Sequence, residues 1–232
     1  GALAEYFGAI EGASLEANKG AYSYAWMIIF AVIAAIMVLI GLYHIRMLPS
    51  NQIPSTTKKT TSEVGRELVA VIANFFTKKH IFYYICFIIL YRLAEGFIMK
   101  IAPLFLRASR EVGGLGLSLK EIGTLNGVFG SAAFVLGSLL AGIYVSKFGL
   151  KRTLFTLCCI FNLPFVAYTF LAVTQPTNVY LIGTCITMEY FGYGFGFVGL
   201  TLFMMQQIAP GKHQMSHYAF ASGIMNLGVM LP

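Results

Sequence analysis

Long uncharged runs broken by short polar stretches set the pattern of this chain. A helix rising 1.5 Å per residue needs about 20 apolar residues to cross a hydrocarbon core of roughly 30 Å. Residues 20–43 meet this without one charge and include MIIFAVIAAIMVLIGL. Residues 81–101 are long enough but carry Arg92 and Glu95, and residues 122–146 are uncharged and rich in Gly, Ala and Ser. The uncharged run 153–188 is too long for one helix. The turn signal Gln175-Pro176-Thr177-Asn178 divides it into helices near 153–173 and 178–203. Pro164 predicts a kink in the first of these. A further helix opens near Ser216 and runs to 232. The expected fold class is an all-α multi-pass membrane protein of about five full spans and part of a sixth.

Composition agrees. Of 232 residues 58% are hydrophobic and 11% charged, against about 25% charged in soluble domains. Mean hydropathy is +0.76. The net charge of +7 lies between the apolar runs, as topology signals do, rather than in a nucleic-acid-binding patch. Residues 44–79 read as a polar linker with Arg46, Lys58, Lys59, Arg66, Lys78 and Lys79. The loop near 147–152 holds Lys147, Lys151 and Arg152, and that near 206–217 holds Lys212 and two histidines. Two spans separate each basic stretch from the next, so all three fall on the cytoplasmic side. Lys100, Arg107 and Arg110 run against this bias. The expected organisation is an extracytoplasmic segment 1–19, a span 20–43 ending one helical half, a cytoplasmic linker 44–79, and a second helical bundle 80–232. On this reading the chain is a piece of a longer protein whose N-terminal half is missing.

Gly194-Phe-Gly196-Phe-Val-Gly199 spells G-x-G-x-x-G, but no strand precedes it and no acid follows it to hold a ribose, so the dinucleotide reading fails. Glu189, Gly192, Gly196 and Gly199 recur at i, i+3, i+7 and i+10 on one helix face. Gly192 and Gly196 form G-x-x-x-G, which lets a helix or a ligand approach the backbone. Both uses stay open. Glu189 and Arg92 each lie roughly 16 Å from the start of their helices, near the midplane. An ionisable group there costs about 2.5–3.5 kcal/mol on insertion scales and marks a candidate site. Arg92 and Glu95, at i and i+3, can pair, so a structural ion pair is the alternative. Tyr84, Tyr91 and Glu95 share one stripe.

Cys86, Cys158, Cys159 and Cys185 read as buried thiols acting as small hydrophobes. His213 and His217, at i and i+4, lack a third ligand and read as surface histidines rather than a metal site. Without aspartate no Ser-His-Asp arrangement exists. No enzyme, cofactor or metal is expected.

Gly142 to Arg152 resembles the signature loop of the major facilitator superfamily, G-x-x-x-D-x-x-G-x-[RK]-[RK], with Gly142, Gly149, Lys151 and Arg152 in place and Ser146 for the aspartate. The stretches YRLAEGFIMKIAPLFL, LSLKEIGTLNGVFG, EYFGYGFGFVGLTLFMMQ and HYAFASGIMNLG resemble the AmpG-like muropeptide permeases. The resemblance implies a twelve-helix transporter of two six-helix halves, with this chain running from helix six to the start of helix eleven. It implies proton-coupled import of anhydro-muropeptides across the bacterial inner membrane. Arg92, Glu95 and Glu189 are then candidate proton or substrate groups, and Tyr91, Tyr190 and Tyr193 candidate sugar contacts. Gly192, Gly196, Gly199, Gly142 and Gly149 are candidate packing or gating positions, with Lys151 and Arg152. Partners would be a small-molecule substrate, the bilayer and the missing half. Other facilitator solutes (acyl-CoA, sugars, peptides) and a non-transporting scaffold or sensor remain alternatives.

Overall fold

The computed structural model describes residues 2–10, 14, 16–47 and 60–232. These residues are helices and connecting turns, with no strand among them. Lys58 and Lys59 of the linker lie outside the described residues.

The chain divides into two units, Gly1–Lys59 and Thr60–Pro232. In the first, a short helix α1 (Ala2–Tyr6) precedes α2 (Lys19–Met47), an uninterrupted apolar rod. The Asn18 side chain ties the intervening loop by accepting from Ile10 N–H at 2.9 Å and donating to Ile10 O at 2.8 Å.

The second unit opens with α3 (Thr61–Phe76), inside the stretch that reads as a polar linker. Glu63 accepts from Thr60 N–H at 2.9 Å in a capping box. Val71 and Phe75 are buried. Phe75 packs its ring 5.7 Å from His217 and 5.6 Å from Phe220. His217 is fully buried, so the surface reading of that histidine is corrected: α3 covers it.

The bundle proper follows. α4 (Ile81–Arg107) pairs with α10 (Gln214–Met230). α5 (Leu119–Thr124) continues through a π-helical segment, Leu125–Gly130, into α6 (Ser131–Phe148). α7 (Leu150–Asn162) passes through a 3₁₀ turn at Leu163–Phe165, where Pro164 interrupts the ladder, into α8 (Val166–Thr174). α9 (Val179–Phe203) lies between α6 and α7. Among the described residues, four stretches are long and apolar enough to cross a membrane: Lys19–Met47, Ile81–Arg107, Leu119–Phe148 and Leu150–Thr174. α9 has 25 residues, with Glu189 and five glycines along it.

Glycine sets how closely α9 is gripped. A Cβ at Gly194 would lie 2.1 Å from Phe134 O on α6, and one at Gly137 of α6 would lie 2.3 Å from Phe191 O. On the other side a Cβ at Gly192 would meet Ile160 O at 2.5 Å, and one at Gly196 would meet Phe161 Cβ at 2.3 Å. Backbones therefore touch on both flanks, as small residues permit. Gly142, in contrast, faces open space.

Cations at both ends of the bundle cap carbonyls that helix termini leave unpaired. Lys78 Nζ donates to Ile208 O and Pro210 O, just after α9. Burial holds this amine below the usual lysine range. Lys100 Nζ donates to Met230 O at the end of α10 at 3.2 Å. Arg110 donates to Gln175 O and Pro176 O at 3.0 and 2.9 Å. Lys100 and Arg110, which run against the charge bias in the sequence, thus have local structural work.

Candidate functional site

A polar cluster forms where α4, α8 and α9 converge in an otherwise apolar bundle. On α4, Arg92 and Glu95 are 6% and 3% exposed. Arg92 Nε donates to Glu95 Oε2 at 2.6 Å and its Nη2 to Oε1 at 2.5 Å. This two-pronged geometry lowers the cost of burying both charges. The guanidinium also lies 5.4 Å from the centre of the Phe197 ring of α9, a cation–π contact. The i, i+3 spacing of the pair and its helix are both present in the sequence; the ring above it is not.

On α9, Glu189 is 8% exposed. The group it faces on α8 is the hydroxyl of Tyr168. Tyr193, one turn further along α9, sets its hydroxyl toward Glu95. Its ring packs 5.1 Å from Phe134 and 5.8 Å from both Phe161 and Phe197. Tyr193 thus bridges the two helices that carry the carboxyls.

The other sequence candidates lie elsewhere or are otherwise engaged. Tyr91 is buried, and its hydroxyl donates to Gly196 O at 2.9 Å, so it ties α4 to α9. Tyr190 turns toward the π-helical segment, where its ring lies against Gly130. Gly192, Gly196 and Gly199 line the contact of α9 with α7: their Cβ positions would meet Ile160, Phe161 and Leu157. Gly149 adopts φ +78° in the turn between α6 and α7, a conformation that favours glycine. Lys147 stands in the last turn of α6, but Lys151 and Arg152 open α7, where the helix dipole disfavours cations. Of these three basic residues, Lys147 alone sits at a helix C-terminus. Ser146 Oγ donates to Ile143 O of its own helix at 2.9 Å.

The cysteines are free, and Cys86 is exposed while the other three are half-buried. The reading as buried thiols is corrected, because an apolar run in a membrane protein faces lipid as readily as core. Among the described residues no three His, Cys, Asp or Glu side chains gather into a metal-binding group. A cavity of about 780 Å³ opens between α5, the π-helical segment, α6 and α9, walled by Leu125, Phe129, Met188 and Phe191. None of Arg92, Glu95 and Glu189 lines it.

Sequence reasoning missed Tyr168 and Phe197. Neither has a spacing that marks it, since both partners come from another helix.

The fold is a bundle of apolar helices around a buried polar cluster, and comparison with known proteins gives its class. The Major Facilitator Superfamily profile matches residues 1–232, and the chain belongs to that superfamily. It is a multi-pass membrane protein of a transporter family, which points away from an enzyme. More particularly, the chain is similar to the anhydromuropeptide permease of Escherichia coli (strain K12), 24% identical over 175 residues. The same figures hold for the anhydromuropeptide permease of Escherichia coli O157:H7. The match covers 75% of this chain and 34% of each relative, so the chain spans about a third of their length. No solved structure matches.

Proposed function

We propose that this protein is part of a secondary active transporter of the bacterial inner membrane. It imports anhydro-muropeptides, coupled to protons, by alternating access. The observation that carries the reading is the buried Arg92–Glu95 ion pair of α4 and the buried Glu189 of α9, flanked by Tyr193 and Tyr168. Intramembrane ionisable groups are expensive, and those facing a bundle interior mark substrate or ion pathways. Likeness to the anhydromuropeptide permeases supports the solute class. The remaining helices needed for a carrier come from a further helical half.

Within this reading, Arg92 is the group that attracts a substrate carboxylate, since a guanidinium matches that shape on two prongs. The carboxylate competes with Glu95, which holds those prongs in the present geometry. Tyr193 is the sugar-facing aromatic, whereas Tyr190 packs against Gly130. Tyr91 serves packing instead, because its hydroxyl donates a hydrogen bond to Gly196 O.

The test is uptake of a radiolabelled anhydro-muropeptide into membrane vesicles bearing the protein, with and without an imposed inward proton gradient. Accumulation that needs the gradient supports the reading. Uptake no greater than in empty vesicles overturns it.

A further inference from the structure

The two buried carboxyls do not stand alike toward the one buried cation. Arg92 spends Nε and Nη2 on Glu95, at 2.6 and 2.5 Å, and that pair is neutral as a unit. Glu189 remains. It is 8% exposed, and the groups facing it are the Tyr168 hydroxyl from α8 and Glu95 from α4. Tyr190 and Tyr193 flank it on its own helix. On the α7 side the next turn of α9 meets Ile160 and Pro164, which carry no charge. Counted together, the cluster holds one cation and two acids in a low-dielectric interior. One of the acids must be neutral unless water enters, because an uncompensated carboxylate is costly there.

We propose that Glu189 is the proton-binding site of the cluster, kept as a neutral carboxylic acid by its burial and by the neighbouring Glu95 charge and positioned by the Tyr168 hydroxyl, while Arg92 and Glu95 form a closed ion pair in the substrate-free state. Tyr168 is a positioning residue: its O–H donates to a Glu189 oxygen and fixes the acid against α8. Loading forms an O–H bond on Glu189 with a proton taken from water on one side. Unloading breaks that bond, returns the proton to water on the other side, and leaves a carboxylate. The Glu95 charge opposes that carboxylate, so release waits on water reaching the site. Use of the proton in transport rests on the function proposed above, whereas its location does not.

The location is read without substrate, by infrared spectroscopy of the lipid-reconstituted protein at neutral pH, where exposed glutamates are ionised. The wild type is expected to show a protonated-carboxyl C=O band that E189Q loses. Removing a hydrogen bond to a carbonyl raises its stretching frequency, so Y168F shifts the band upward. Y193F leaves it in place, since the Tyr193 hydroxyl is set toward Glu95. A band moved by Y193F and not by Y168F overturns the assignment, as does the absence of any such band. Thermal unfolding gives a second readout. E189Q swaps a neutral acid for a neutral amide and keeps the wild-type midpoint, whereas E95Q strips Arg92 of its counter-ion and lowers it. The reverse order also overturns the proposal. Failed uptake with the band behaving as expected removes the transport reading and leaves the proton on Glu189.

Discussion

The Tyr91 hydroxyl donates a 2.9 Å hydrogen bond to the backbone carbonyl of Gly196, across 105 residues of sequence. It joins α4, one turn from Glu95, to α9, two turns from Glu189. Tyr91→Phe removes the donor and keeps the ring against Phe161. Since Gly196 O sits within a helix ladder, the expected loss is about 1 kcal/mol of stability, measured by denaturant unfolding in detergent. Saturable substrate uptake should persist. A large loss of substrate affinity would return Tyr91 to the binding site.

The glycines of α9 allow a sharper comparison. A Cβ at Gly196 lies 2.3 Å from Phe161 Cβ, whereas one at Gly142 meets nothing within 4 Å. Gly196→Ala should therefore cost about 1–3 kcal/mol through overpacking. Gly142→Ala should be neutral or stabilise by up to about 1 kcal/mol through helix propensity. Equal midpoints for the two variants would contradict the close approach of α7 and α9.

The Arg92–Glu95 pair predicts an asymmetry between single and double changes. Arg92→Ala leaves Glu95 buried without its cation, at a cost of about 3–5 kcal/mol. Arg92→Met combined with Glu95→Met removes both charges and should recover most of the folded yield, measured as the monodisperse fraction after purification. Transport should not recover.

α3 is the element that the sequence concealed. Its charges and threonines made 44–79 read as a linker, yet Val64, Leu68, Val71 and Phe75 fall on one helical stripe. Phe75→Ala should cost about 3–5 kcal/mol, read in the same unfolding assay, because it uncovers His217 and Phe220. A cost under about 1 kcal/mol, typical of a surface site, would mean that α3 does not dock.

What the sequence revealed and what it hid have different physical origins. The span near 81–101 and the Arg92–Glu95 pair were legible, because both follow from periodicity within one helix. So was the Pro164 interruption, which depends on a missing N–H alone. The partner of Glu189 was not legible: Tyr168 lies in an uncharged run and meets Glu189 only once α8 packs on α9. His217 was misread for the same reason, since its burial comes from a helix some 140 residues earlier in the chain. The exposed Cys86 reflects a further limit: apolar sequence does not distinguish lipid from core.

The central claim is that Glu189 couples proton movement to solute movement. Vesicles bearing E189Q should be compared with wild type in two modes, gradient-driven accumulation and exchange of labelled for unlabelled anhydro-muropeptide at equal pH on both sides. An amide in place of a neutral acid preserves the loaded shape but cannot release a proton. The account predicts that E189Q loses gradient-driven accumulation and keeps exchange. Accumulation at the wild-type level in E189Q would contradict it.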